Sequence, residues 1–350
     1  MSVILKVLKF LEDFFVISLA VSHRFSRTPR SGTRWARFRC ATPQFVISVV
    51  VLAALSGCKP ATNDRDIGES ANIAVVDDTG YRAEFQDTPA RVVSVAPNVT
   101  EIMFAIGADD KLFGVTELCD FPPEAKEKPQ VGDFVNPSLE RIIAREPDLV
   151  IGCGTLHPVL ARLRDLDVPV LSFDPMTIEA LFGMIKKVGA VVGRQAAARA
   201  LTTSLRAEVE AVRSRIGTAP DSAKVRVFVE IWHDPLLTAG NGSFVNDLVQ
   251  TAGAINIAAS VGNHYFEISQ EHVLDANPDV ILAAYMEKDV SARDMILNRE
   301  TWRTVSAVVS GRVYDDINPD LLLRPSVRAV HVVRDLAARF YPERFDERAK

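Results

Sequence analysis

Apolar and polar positions follow two periods along this chain, and from residue 91 onward the two trade places regularly. The segment 91–96, Arg-Val-Val-Ser-Val-Ala, reads as a strand closed by Pro97-Asn98. Residues 100–106 read as a helix stopped by Gly107, and 112–115 as the next strand. Helices are expected at 138–145 and 158–166, with strands at 148–151 and 168–171. A long helical stretch follows. Ile178, Leu181, Phe182, Ile185 and Val188 share one face, and Leu201, Leu205, Val212 and Ile216 continue the period as far as Gly217. The alternation then restarts with strands at 225–231, 280–283 and 312–314 and helices at 244–252, 270–276, 295–309 and 327–340. This is an α/β pattern that predicts mainly parallel sheets covered on both faces. The strand-free stretch in the middle predicts two lobes with a helical connection between them.

The second half echoes the first. Ser138-Leu-Glu-Arg-Ile-Ile-Ala-Arg-Glu-Pro-Asp-Leu-Val-Ile151 aligns with Ser269-Gln-Glu-His-Val-Leu-Asp-Ala-Asn-Pro-Asp-Val-Ile-Leu282 at one offset of 131 residues. Ser, Glu, Pro and Asp coincide. Two lobes of related design explain the echo.

The region before residue 91 has a different character. Arg24, Arg27, Arg30, Arg34, Arg37 and Arg39 are followed by an apolar run at 45–55 and then by Ser56-Gly57-Cys58. A basic stretch, a short apolar stretch and small residues make an export signal. The run is too short for a spanning helix, which needs about 20 residues. Leu55-Ser56-Gly57-Cys58 resembles a bacterial lipobox, in which the Cys58 thiol takes the lipid and becomes the first mature residue. Several acyl chains then anchor a protein without a spanning helix. Residues 1–20 are broken by charges and fit no signal. A translation start farther along is expected, at a non-Met codon, since the next Met is Met103.

Composition narrows the function. A net charge of −5, with 24% charged residues and no basic stripe after the leader, argues against a nucleic-acid partner. The four cysteines, Cys40, Cys58, Cys119 and Cys153, form neither a disulfide framework nor a zinc pattern. There is no phosphate-binding glycine loop, no nucleophile elbow and no metal-spaced His pair. No catalytic residue, resident metal or cofactor is expected, and a clamp for a ligand fits better than an enzyme.

The ordered segments Arg91-Val-Val-Ser-Val-Ala-Pro-Asn-Val-Thr-Glu101, Asp120-Phe-Pro-Pro-Glu-Ala125, Val131-Gly-Asp-Phe-Val-Asn-Pro-Ser-Leu-Glu140, Pro147-Asp-Leu-Val-Ile151, Trp232-His-Asp-Pro-Leu-Leu-Thr-Ala-Gly240 and Asn256-Ile257 carry a family likeness. They resemble the vitamin B12, ferric-siderophore and haem binding proteins of ABC importers, most of all the cobalamin branch. The resemblance covers residues 90–340. It implies two Rossmann-like lobes joined by a single long helix within 194–217. The expected division is a leader (1–57), a lipidated tether with its first strand (58–90), an N-terminal lobe (91–177), a helical linker (178–222) and a C-terminal lobe (223–350).

The resemblance also implies roles. Glu140 and Glu271, one per lobe, are the expected docking acids for a permease dimer. Without the resemblance both read as first-turn helix acids. Phe121, Phe134 and Tyr265 match aromatic ligand contacts, Trp232 and Phe266 are their neighbours, and Arg324 matches a polar ligand contact. For each aromatic the competing reading is core packing. His157, His233 and His264 fall in cleft loops where an imidazole could cap a metal centre. The expected ligand is cobalamin, with a ferric siderophore or haem as the alternative. The protein is expected to act as an exported, membrane-anchored monomer.

Overall fold

A computed structural model describes residues 73–154, 157–286 and 291–346. The leader, Cys58 and the start of the tether lie outside the described residues. The chain opens with an antiparallel hairpin, β1 (Ile73–Val76) and β2 (Arg82–Phe85). The buried Asp77 carboxylate ties the hairpin down, accepting from Ser172 N at 2.9 Å and from Arg164 Nη2 at 2.6 Å.

Four strands build the first sheet: β3 (Val92–Ser94), β4 (Leu112–Val115), β5 (Leu149–Cys153) and β6 (Val170–Phe173). Helices α1 (Pro97–Ala105), α2 (Leu139–Ile143) and α3 (Pro158–Asp165) alternate with them. The spatial order is β4-β3-β5-β6, and every pairing is parallel. Helices α4 (Ile178–Val191) and α5 (Gln195–Ile216) follow. They pack so closely that a Cβ on Gly189 would lie 2.4 Å from that of Ala198. The 22 residues of α5 lead from the first sheet toward the second.

The second sheet holds β7 (Arg226–His233), β8 (Leu236–Ala239), β9 (Ile255–Asn256), β10 (Tyr265–Glu267), β11 (Val280–Ala283) and β12 (Val313–Tyr314). Helices α6 (Phe244–Thr251), α7 (Gln270–Ala276), α8 (Ala292–Leu297), α9 (Ser306–Val309), α10 (Pro319–Leu323), α11 (Val327–Phe340) and α12 (Pro342–Phe345) complete the chain. The strand order is β10-β8-β7-β11-β12, with β9 beside the start of β7. Strands β7, β9, β11 and β12 run parallel, while β8 and β10 add an antiparallel edge that the sequence pattern did not indicate.

The helix expected at 295–309 is broken into α8, a 3-10 turn at Glu300–Trp302 and α9. The break turns Arg299 and Trp302 inward together.

Strand periodicity sorts the core. Val92, Ile151, Val227 and Leu282 join one large cluster that reaches from Phe173 and Phe182 to Phe244 and Phe340. Their neighbours Val93 and Val150 face a separate cluster, and Phe228 and Ile281 a third. The echoed segments become α2–β5 and α7–β11. Ser138 and Ser269 cap their helices alike, accepting from Arg141 N at 3.3 Å and His272 N at 3.2 Å. Asp148 and Asp279 likewise hold the backbone N–H groups of Arg91 and Arg226, where β3 and β7 begin.

Candidate functional site

The carboxyl ends of parallel strands leave a crevice in open α/β sheets, and here several polar bonds bridge the two lobes at that end. Asn98, at the start of α1, donates to Cys153 Sγ and to Pro325 O, each at 3.4 Å. Glu101, one turn farther along α1, is buried and takes both arms of Arg328, with Nε at 2.9 Å and Nη2 closer still. Arg324 reaches Asp120 Oδ1 and Asp320 Oδ1, each at 3.0 Å, and Glu101 at 3.9 Å. Three carboxylates thus surround two guanidiniums. Burial pushes the Asp320 carboxyl above the ordinary aspartate range.

Phe121 sits in this network. The residue is 40% exposed, with the Arg328 guanidinium carbon 3.9 Å from its ring centroid. The preceding Cys119 is buried beside Thr100 Oγ1 at 3.1 Å and Thr116 Oγ1 at 3.4 Å, and burial pushes its thiol up. Phe134 is half-buried against the large core cluster. Cys119 and Cys153 are both free thiols.

On the second lobe, Trp232 and His233 end β7. The Trp232 ring lies 4.8 Å from His233 and 5.7 Å from Tyr285, and its Nε1 donates to Asp234 O at 2.9 Å. A buried polar group fixes this aromatic set from behind. The Tyr285 hydroxyl donates to Glu230, whose carboxylate takes the Arg299 fork at 2.7 and 3.0 Å. Arg299 in turn lies 3.9 Å over the Trp302 ring. Burial, with the Glu230 charge behind it, pushes the Tyr285 hydroxyl far up.

Tyr265 and Phe266 are successive residues of β10 and part company. Tyr265 packs on the large cluster, while Phe266 packs on the other face of its strand. A Cβ on Gly240 would meet the Phe266 ring at 2.6 Å and the Gly262 carbonyl at 2.1 Å, so Phe266 fills a slot that only glycine leaves open. Burial raises the Tyr265 hydroxyl, and Asp174 of the first lobe adds to the effect. Asp174, just past β6, is itself pushed up to about 6 by burial and by Asp78. Burial and Asp174 push the Cys153 thiol up to about 12.

The structure therefore brings Phe121 and Arg324 together at the junction through Asp120 and Arg328. It places Trp232 near the carboxyl end of β7, and sets Tyr265 of β10 beside Ala239 of β8 with Phe266 on the opposite face. His157 caps α3, accepting from Val159 N at 3.2 Å, while the His233 Nδ1 is buried without a hydrogen-bond partner. No cluster of three or more His, Cys, Asp or Glu side chains that could hold a metal ion occurs among the described residues. Glu101, Asp120, Asp320, Arg328, Glu230, Arg299 and Tyr285 were not singled out from sequence. Apart from the i,i+4 pair of Asp320 with Arg324, their pairings join residues 55 to 227 positions apart, which leaves no local signal.

Glu140 and Glu271 occupy the same position in their helices, two residues after the capping serine, and both are exposed. The Glu140 carboxyl is held low by its own backbone N–H and by the Ser138 hydroxyl at 3.0 Å. Away from the crevice, a groove of about 510 Å³ opens between α4 and α5, lined by Lys186, Gln195, Arg199, Thr203 and Arg206 among others. It contains no aromatic wall, so the lobe junction remains the better place for a large ligand. No helix among the described residues is long and apolar enough to cross a membrane.

Residues 92–318 match the periplasmic binding protein family. An ABC transporter substrate-binding lipoprotein of Bacillus subtilis is 29% identical over 313 residues, 86% of this chain and 98% of that protein. The periplasmic vitamin B12 binding protein of Vibrio cholerae superposes with a TM-score of 0.63 at 26% identity, covering 74% of this chain and 99% of that one. A periplasmic haem-binding protein of Roseiflexus sp. RS-1 superposes with a TM-score of 0.62 at 27% identity, covering 73% and 98%.

Proposed function

Since this chain belongs to the periplasmic binding protein family, whose members capture solutes rather than catalyse reactions, we propose that it is the binding subunit of an ABC importer and that its ligand is a corrinoid such as cobalamin. The observation that carries the ligand class is the charge balance around Arg324. Its fork is occupied by Asp120 and Asp320, with Glu101 at 3.9 Å. A junction with more carboxylates than guanidiniums repels anionic siderophores and the propionates of haem. Aromatic planes at Phe121, Trp232 and Tyr265 suit a large flat body with neutral amide arms. Phe134, half-buried on the large cluster, is assigned to the same wall. Arg324 then offers one amide contact by exchanging Asp120 for the ligand.

The remaining assignments follow the same reading. Cys58 carries the lipid, holding the protein outside the cytoplasm at a membrane, where it works as a monomer. Glu140 and Glu271 meet cationic side chains on the two halves of the permease. The protein needs no cofactor of its own.

A second reading, haem, is favoured by His233, whose Nδ1 lacks a hydrogen-bond partner beside Trp232 and Tyr285. The deciding experiment is calorimetric titration of the chain, purified from membranes in mild detergent, with cyanocobalamin and separately with hemin. One-to-one binding of cyanocobalamin at micromolar affinity or better supports the corrinoid. Binding of hemin alone, lost in His233→Ala, replaces that reading with haem.

A further inference from the structure

Arg328 is used on two sides at once. Its edge is held by Glu101, a carboxylate on the first lobe with only 2% of its side chain exposed. Its face lies 3.9 Å from the Phe121 ring centroid. Phe121 belongs to no helix or strand, and 40% of its surface is open. An exposed loop ring supported on one side only would wander among rotamers. A planar guanidinium locked at its edge is a rigid shelf for such a ring, which a lysine ammonium cannot be. Glu101 and Phe121 come from the first lobe and Arg328 from the second, so the shelf forms only where the lobes meet.

We propose that Arg328, locked by Glu101, is a positioning residue that sets the Phe121 ring for the ligand before the ligand arrives. This rests on the reading of Phe121 as a ligand wall given above. Arg328 itself touches no ligand. It acts through Phe121, whereas Arg324 acts directly.

The test uses the full exported chain with 4-fluorophenylalanine at position 121 and the variants Arg328→Lys and Arg328→Met. Because Arg328→Met leaves Glu101 buried with less cationic compensation, the combined variant Glu101→Gln/Arg328→Met is measured beside it. In ligand-free protein, ¹⁹F spectra are expected to show one sharp line for the parent and a shifted, broadened line in every variant, lysine included. An unchanged line in the methionine variants overturns the proposal. Titration with cyanocobalamin then completes a cycle. Arg328→Met is expected to weaken binding about tenfold in the parent background and to add nothing in a Phe121→Ala background. Equal losses in both backgrounds overturn the proposal, because Arg328 would then act independently of the ring. If the parent chain binds no cyanocobalamin, the corrinoid reading fails by itself, and the fluorine spectra still decide the positioning role.

Discussion

Two arginine forks in this protein have nearly the same geometry and opposite surroundings, which makes a controlled test of what burial does to an ion pair. Arg299 grips Glu230 at 2.7 and 3.0 Å, and Arg206 grips Glu179 at 2.7 Å with both arms. The side chains of the first pair are 16% and 0% exposed, those of the second 47% and 62%. Replacing Arg299 by Met removes the guanidinium that lies over Trp302 and leaves the Glu230 carboxylate in the core with only the Tyr285 hydroxyl. Breaking one side of a buried pair costs about 3–5 kcal/mol, a large share of the 5–15 kcal/mol that typically separates folded from unfolded. Arg206→Met removes an equally well-formed pair that water can replace, and a much smaller loss is expected. Guanidinium chloride unfolding followed by tryptophan fluorescence measures both, since Trp302 packs directly on Arg299. Equal midpoints for the two variants would refute the reasoning, because geometry rather than burial would then set the energy. The double replacement Glu230→Met/Arg299→Met is expected to recover part of the loss by removing the stranded charge.

Asp174 gives a pH dependence with a definite sign. Its folded pKa is raised to about 6 by burial and Asp78, so the folded state binds more protons than the unfolded chain between about pH 4 and 6, and stability from this group falls as pH rises through that window. Asp174→Asn is expected to flatten that slope and to be more stable than the parent at pH 7 by up to about 3 kcal/mol; thermal unfolding at pH 4.5 and 7 that shows the same slope in both proteins contradicts this. Gly240→Ala is expected to cost about 1–3 kcal/mol, since its Cβ would lie 2.1 Å from the Gly262 carbonyl. Gly183→Ala, in α4 with open space around its Cβ, is expected to gain about 0.5–1 kcal/mol, both read by differential scanning calorimetry. Glu140→Lys with Glu271→Lys is expected to leave ligand titrations unchanged and to abolish stimulation of the importer's ATPase; stimulation that survives both changes removes the docking role.

What the sequence disclosed and what it hid divide along the range of the interactions. Helix α7 and strand β11 were legible to the residue because Ser269, the apolar positions and Pro278-Asp279 are all local signals. The 131-residue echo was legible too, and its consequence in space is that Asp148 and Asp279 perform the same task at the start of β3 and β7. Strands β8 and β10 were missed because they have four and three residues and gain their pairing from β7 rather than from any pattern of their own. The split between α8 and α9 was missed because the apolar period of 295–309 survives the break, while the reason for the break, Arg299 turning in to Glu230, lies 69 residues away. At the junction, the resemblance supplied Phe121 and Arg324. Their partners Glu101 and Arg328 carry no sign in the sequence that they belong together.

Those partners decide which cation a ligand can recruit. Arg324 holds Asp120, whose side chain is 44% exposed, so water can take over that carboxylate when the arm leaves. Arg328 holds Glu101, whose side chain is 2% exposed, so withdrawing it strands a charge away from solvent. The first exchange resembles opening a surface pair, which costs little. The second resembles breaking a buried one, which is several times more expensive. A ligand entering between the lobes therefore finds one adaptable guanidinium and one fixed one within four residues of α10 and α11. In the proposed reading the adaptable one bonds the ligand's polar rim, and the fixed one keeps the aromatic wall in place while it does so.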